Sequence, residues 1–252
     1  MGGALASAIS GFSKKSVFLF DKNTEKSEAL AEKIGASSVG IEKLYDSDFL
    51  FIGVKPHGVS ALLSEITPFL SERTVIVSMA AGVKIADIKA LTGERAVIRI
   101  MPNTPVAYGK GVILAATSGL SDMRLTLFRE IISFAGILDE IDEELIDAGT
   151  AVSGCGPAFV YMFAEALAEG GVRAGLTKEK ALEYAANTLI GAATTLLLDG
   201  RDAKALTDAV CSPGGSTIEG VKALEKGGLY PLVSGAVTAA YERTKELGRA
   251  GK

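Results

Sequence analysis

From Val17 to about Ile141, short apolar runs alternate with stretches of helical period. The runs VFLF (17–20), DFLFIGV (48–54), TVIVSM (74–79), AVIRIM (96–101), GVILAA (111–116) and ILDEI (137–141) predict strands. The segments between them predict crossover helices, and that alternation is the mark of a parallel sheet. Thr24 is placed to cap a helix that runs through Ile34 and stops at Gly35. Ser121 is placed to cap another, with Leu125, Phe128, Ile131 and Ile132 on one face. Ahead of the first run, Leu5, Ala8, Ile9 and Phe12 recur at helical spacing, so Gly2 and Gly3 stand at the start of a helix. Residues 1–141 are therefore expected to form a doubly wound α/β domain.

From Glu143 onward strand patterns stop, and FVYMFAEALAEGGV and KALEYAANTLIGAATTLLL carry Ala, Leu and Gly at helical period. Residues 142–252 are expected to form an all-helical domain whose small residues let helix backbones approach closely. The stretch Thr188 to Leu198 is apolar nearly all round, which predicts burial. Two coverings satisfy that pattern equally: the inside of a monomeric bundle, or a second copy in an obligate dimer.

Composition narrows the classes. An apolar share of 48% with 22% charged residues is that of a packed soluble protein. The net charge of -4 has no basic block behind it, which argues against nucleic acid as a partner. Two cysteines, Cys155 and Cys211, and one histidine, His57, lack metal-ligand spacing, so no metal and a reducing compartment are expected. The first residues do not resemble a secretory signal. Apolar tracts such as DFLFIGV and TVIVSMAAGV stop short of the roughly 20 residues that cross a bilayer, so no membrane segment and a cytoplasmic location are expected.

Candidate chemistry gathers at the strand ends, because ligands of open parallel sheets lie outside the carboxyl ends of the strands. Three ends stand out: GVKPHGV, SMAAGV and the two-proline loop MPNTPVAYGKG with Asn103 and Thr104. Gly2 at a helix start, followed by a strand that ends in Asp21, has the form of the back half of a dinucleotide fingerprint. Gly2 would be its third glycine; the first strand and first two glycines of that fingerprint are not in the sequence. Either the start of the chain is read short or the cofactor domain is incomplete, and the intact strand ends favour the former.

The stretch CSPGGSTIEG (211–220) is the most concentrated site. Pro213 fixes its φ, Gly214 and Gly215 admit backbone angles that aim successive N–H groups to one side, and Ser216 or Thr217 is placed to cap the following helix. Such a turn at a positive helix end binds a carboxylate, with the hydroxyls of Ser212 and Thr217 free for a second polar atom. His57 stands alone, no Ser, His and Asp set is spaced as a triad, and nothing basic lies beside Cys211 to activate it.

The motifs FIGVKPH, SMAAGV, IRIMPNTPV, AVSGCGPAFVYMFAEALAEGGVRAGL and VCSPGGSTIEGVKALEKGGL together resemble those of pyrroline-5-carboxylate reductase over nearly the full length. The resemblance implies an N-terminal Rossmann-like domain, a helical domain that interleaves with its twin, and reduction of a cyclic imine to proline by NADPH or NADH. It implies carboxylate contacts from Ser212, Gly214, Gly215 and Ser216, with Thr217 on the ring nitrogen. It implies a cofactor lining of Val54, Lys55, Pro56, Ala80, Ala81, Gly82, Met101, Pro102 and Asn103. Asp21 would repel a 2′-phosphate, whereas Lys22 and Asn23 would accept one, so coenzyme preference stays open. Two alternatives remain: a related imine or carbonyl reductase with a lysine among Lys178, Lys180, Lys204 and Lys222, and a non-catalytic dimeric homologue with a defective cofactor site.

Overall fold

A computed structural model describes residues 1–13 and 16–250. The chain forms two compact units, Met1–Cys155 with Ala239–Lys252, and Gly156–Thr238.

In the first unit, strands β3 (Phe49–Ile52), β4 (Val75–Ser78), β5 (Val97–Pro102), β6 (Gly111–Ser118) and β7 (Gly136–Glu140) form one sheet in that order. Strands β1 (Phe18–Leu19) and β2 (Ser37–Ser38) form a separate two-stranded parallel sheet, and β2 has no counterpart among the expected runs. The sheet is parallel at β3/β4, β4/β5 and β6/β7 but antiparallel at β5/β6. The sheet is thus parallel-dominated, as expected, with one antiparallel pair that the sequence pattern did not indicate. A parallel crossover needs a dozen or more residues, and the loop after Pro102 has room only for a 3-10 turn, Thr104–Tyr108, closed by Gly109 at φ 66. Asn103 staples the reversal, its Oδ1 accepting from the Val112 N–H at 2.9 Å.

Helices α1 (Gly2–Ile9), α2 (Thr24–Ile34), α3 (Val59–Ile66), α4 (Ile85–Thr92) and α5 (Asp122–Ile132) connect the strands. Val75, Val77, Ile98 and Ile100 join Leu5 and Ile9 of α1 and Phe128 and Ile132 of α5 in one core. Their neighbours Ile76, Val97 and Met101 join Leu63 and Ile66 of α3 and Ile88 of α4 in the other. Burial on both faces explains why these strands read as continuous apolar runs rather than alternating ones. Two expected caps differ in detail. Asn23, not Thr24, caps α2, its Oδ1 accepting from the Lys26 N–H at 3.1 Å. Ser121 sits at the cap of α5 but makes no side-chain cap bond.

One residue of β5 breaks the apolar rule. Arg99 is 2% exposed and meets Glu143 Oε1 at 3.3 Å and Asp147 Oδ1 at 3.1 Å. Glu143 Oε1 also accepts the Ile85 N–H at the start of α4, at 2.8 Å. This network fastens the segment after β7, namely a 3-10 turn (Glu143–Leu145), the single turn α6 (Ile146–Gly149) and a π-helical turn (Thr150–Gly154), to the first unit. The contact boundary consequently falls after Cys155, whereas the change in composition falls at Ile141.

The second unit holds α7 (Gly156–Arg173), α8 (Lys178–Leu198), α9 (Ala203–Val210), α10 (Ser216–Lys226) and the first part of α11 (Leu229–Ala250). Its buried apolar cluster is only Ala168, Ala181 and Ala185, where small side chains bring α7 and α8 together. Ile190 and Leu197 of α8 are 66% and 83% exposed, so this helix is not internal to a monomeric bundle. Two helices, Glu143–Arg173 and Lys178–Leu198, are long and apolar enough by length and composition to cross a membrane. Core helices of soluble proteins share that length and composition, and the unbroken apolar tracts of the sequence do not single these helices out because their few charges are spread among many Ala and Gly.

The buried network makes a graded prediction. Removing both acids, with Glu143→Ala and Asp147→Ala together, strands a buried guanidinium and costs about 3–5 kcal/mol. Arg99→Met leaves the acids at the rim, where water reaches them, and costs less. Urea denaturation of the two variants checks this order, and equal losses would refute it.

Candidate active site

The candidate site is built in each unit separately. In the first unit, α1 begins at Gly2 with Met1 as its cap residue and no side-chain cap bond, so its first N–H groups are unclaimed by a cap. An ideal Cβ on Gly2 would stand 3.4 Å from the Cα of Gly53, the residue just past β3. Two backbones thus meet where side chains would keep them apart. Gly53 escaped the sequence reading, though a glycine directly after an apolar strand run, in FIGV, is the signal that would have found it.

Gly2, Asp21, Lys22 and Val54 border one cavity of about 1130 Å³. Asp21 Oδ1 accepts the Asn23 N–H at 3.0 Å, and its other oxygen lies 3.5 Å from Lys26 Nζ. Lys22 pairs with Glu65 at 3.1 Å, while Asn23 is spent as the α2 cap. The two groups expected to receive a 2′-phosphate are therefore already engaged.

The other strand ends carry the remaining candidates. Lys55 precedes Pro56, which opens a 3-10 turn, Pro56–Gly58, ahead of α3; His57 in that turn is exposed. Ala80 is buried after β4, Ala81 is half-buried, and Gly82 turns at φ 76. A Cβ on Gly82 would stand 2.6 Å from the Cα of Gly248 near the end of α11, so this glycine is required by packing as well as by φ. Met101 and Pro102 close β5. Buried Asn103 donates from Nδ2 to the Ser153 carbonyl at 2.9 Å and accepts from Val112, so its amide holds the π-helical turn to the sheet. What Asn103 offers a ligand is position rather than a free amide.

Half of a dinucleotide cradle is thus present: an uncapped helix N-terminus with glycine on glycine behind it, and an acid at the end of β1. A pyrophosphate and a ribose diol fit those groups.

In the second unit, α9 ends at Val210, and Ser212, Pro213 and Gly214 turn the chain into α10. Gly214 has φ 72, and the N–H of Gly215 donates to the Ser212 carbonyl at 3.0 Å. Gly215 is itself the cap residue, with no side-chain cap bond, and Ser216 and Thr217 open the helix. The expected cap by Ser216 or Thr217 is not made. A side chain on Gly215 would run into Ser212 Oγ, so glycine is the residue that lets the hydroxyl fold over the turn. Ser212, Ser216 and Thr217 are exposed, and no hydrogen bond of their hydroxyls occurs among the described residues. A positive helix end with free N–H groups and free hydroxyls beside it can take up a carboxylate and one further polar atom.

Three of the four lysines of the rival reading, all but Lys178, are in surface pairs. Lys180 meets Glu183 at 2.9 Å, Lys222 meets Glu219 at 2.8 Å and Lys204 meets Asp208 at 3.0 Å. The hydrogen bond to Asp208 holds the Lys204 ammonium above its ordinary pKa, the opposite of what a catalytic amine needs.

A family model described as pyrroline-5-carboxylate reductase dimerisation matches residues 143–247, and one described as NADP oxidoreductase, coenzyme F420-dependent, matches residues 1–82. A pyrroline-5-carboxylate reductase of Arabidopsis thaliana is 38% identical over 215 residues, covering 85% of this chain and 78% of the relative. Pyrroline-5-carboxylate reductase 3 of Danio rerio is 42% identical over 208 residues, covering 82% and 72%. The crystal structure of pyrroline carboxylate reductase from Plasmodium falciparum, with NADP bound, superposes with a TM-score of 0.88 at 29% identity, covering 98% of this chain and 94% of that one.

Proposed function

The chain belongs to the pyrroline-5-carboxylate reductase family, and on that premise we propose that it reduces the cyclic imine 1-pyrroline-5-carboxylate to proline at the expense of NAD(P)H. The observation that carries the reading to particular residues is the SPGGST turn, whose N–H groups and hydroxyls have no partner from the described side chains.

Bound, the dinucleotide supplies a hydride. The chain's own residues hold, orient and exclude water. Gly2 at the start of α1 receives the pyrophosphate, while Val54, Lys55, Pro56, Ala80, Ala81, Gly82, Met101, Pro102 and Asn103 line the cofactor. Gly214, Gly215 and Ser216, with Ser212, hold the substrate carboxylate against the positive end of α10. Thr217 Oγ1 meets the ring nitrogen. A protonated imine is already electrophilic, so holding it at near-attack distance does most of what a catalytic pair does elsewhere. That accords with a candidate site that offers hydroxyls and N–H groups rather than a paired acid and base.

For the coenzyme we favour NADH. Asp21 repels a 2′-phosphate, and Lys22 and Asn23 are engaged with Glu65 and with the start of α2. For assembly, the exposed apolar faces of α7 and α8 support a homodimer through the second unit, with larger assemblies built from such dimers.

Three outcomes are expected. Thr217→Ala lowers kcat by about 10- to 100-fold, the worth of one hydrogen bond to a charged group, while dinucleotide affinity by fluorescence titration stays the same; an unchanged kcat removes Thr217 from the reaction. Asp21→Ser shifts the ratio of kcat/KM with NADPH to that with NADH upward by roughly tenfold, and no shift means that the acid does not read the ribose. Sedimentation equilibrium at micromolar concentration returns at least twice the chain mass, whereas a single-chain mass refutes the dimer.

A further inference from the structure

The turn that follows β4 carries three residues of the proposed coenzyme lining, Ala80, Ala81 and Gly82. Hydrogen bonds fix it at both ends. The Ala80 N–H donates to the fully buried Ser78 Oγ at 3.3 Å, and the Val83 N–H closes the turn on the Ala80 carbonyl at 3.3 Å. At its exit the Lys84 N–H donates to Asp87 Oδ2 at 3.1 Å and the Ile85 N–H to Glu143 Oε1 at 2.8 Å. Gly82, at φ 76, lies between these anchors, and what meets it is the backbone of α11.

Gly248 makes that contact. An ideal Cβ on Gly82 would stand 2.6 Å from the Gly248 Cα, and one on Gly248 would stand 3.4 Å from the Gly82 Cα and 3.8 Å from its carbonyl oxygen. The usual reason for glycine near a helix end does not apply. α11 runs past Gly248 to Ala250, and the φ of Gly248 is not positive, so this is not a left-handed cap. Glycine is also among the poorest helix formers, so the helix by itself favours a side chain here. The close approach of two backbones accounts for the residue.

We propose that Gly248 is a positioning residue for the coenzyme: by bringing the α11 backbone against Gly82, it sets where the Ala80–Gly82 turn stands beneath the bound dinucleotide. It acts through Gly82 and needs no contact of its own with coenzyme or substrate. The proposal rests on the reductase reading and on the coenzyme lining given to this turn. Geometry grades the substitutions. The methyl of Gly248→Ala meets Gly82 at ordinary contact distance. Gly248→Val adds two carbons to a Cβ already in contact, and a β-branched side chain in a helix is too stiff at χ1 to swing aside. Both residues are better helix formers than glycine, so a role confined to the integrity of α11 predicts harm from neither.

The test compares the unsubstituted chain, Gly248→Ala and Gly248→Val in NADH affinity by nicotinamide fluorescence, in steady-state kinetics and in Tm. In Gly248→Val, kcat/KM for NADH falls by roughly tenfold or more, the cost of a displaced binding surface. Its NADH Kd rises, while the imine KM at saturating NADH and the Tm stay as in the unsubstituted chain. Native-state hydrogen exchange without coenzyme shows altered protection at Ala81, Gly82 and Val83 in Gly248→Val. Gly248→Ala behaves as the unsubstituted chain throughout. Three results overturn the proposal and leave the reductase reading standing: an unchanged NADH Kd in Gly248→Val, equal harm from Gly248→Ala, or a fall in Tm with NADH Kd and imine KM worsening together. An unsubstituted chain that binds neither NADH nor NADPH overturns the reading and the proposal together.

Discussion

Every polar group on the backbone of a buried strand needs a partner, because burial without one costs about as much as a lost hydrogen bond. In the first unit that requirement is met at β4, β5 and β6, which have a partner strand on each edge, and it fixes much else. It places helices on both faces, since strands such as β4 and β5 have no wet side. It sets the strand carboxyl ends as the place where chain turns into helix and small residues gather. It also accounts for the one charge in the middle of β5: Arg99 is tolerated at full burial because Glu143 and Asp147 reach it from the segment that follows the sheet. Glu143, in holding both Arg99 and the first N–H of α4, joins the last strand's exit to a helix on the sheet's face.

Much of this was legible in the residues. The six apolar runs are strands, and the glycines at 2 and 35 begin and end helices as their backbone freedom suggests. The reversal at β6 was not, because apolar runs carry no direction; what decides it is the length and proline content of the loop after Pro102. Nor was β2 legible, since Ser37 and Ser38 have neither the bulk nor the pattern of a strand and pair only because Phe18 and Leu19 are beside them. The buried Arg99 was open to view in AVIRIM, but its partners lie more than forty residues on, beyond the reach of local pattern. The SPGGST turn was found by its composition, while its geometry reassigns the cap to Gly215 and leaves the hydroxyls free.

The second unit obeys a different constraint. Its helices meet through alanines, which let backbones approach but bury little apolar area, so α7 and α8 keep large side chains such as Tyr161 and Ile190 exposed. So small an internal core leaves apolar surface uncovered, and residues 143–247 match a family model for dimerisation, which supports the proposed second copy. The SPGGST turn belongs to this unit, and the close approach of Gly2 to Gly53 to the other.

The most direct measurement mixes the chain with pyrroline-5-carboxylate and NADH or NADPH, and follows nicotinamide absorbance and proline together. The account predicts that absorbance falls in step with proline formed, one for one. Reduced coenzyme shown to be bound by its fluorescence, with the imine present and no proline made, would contradict it.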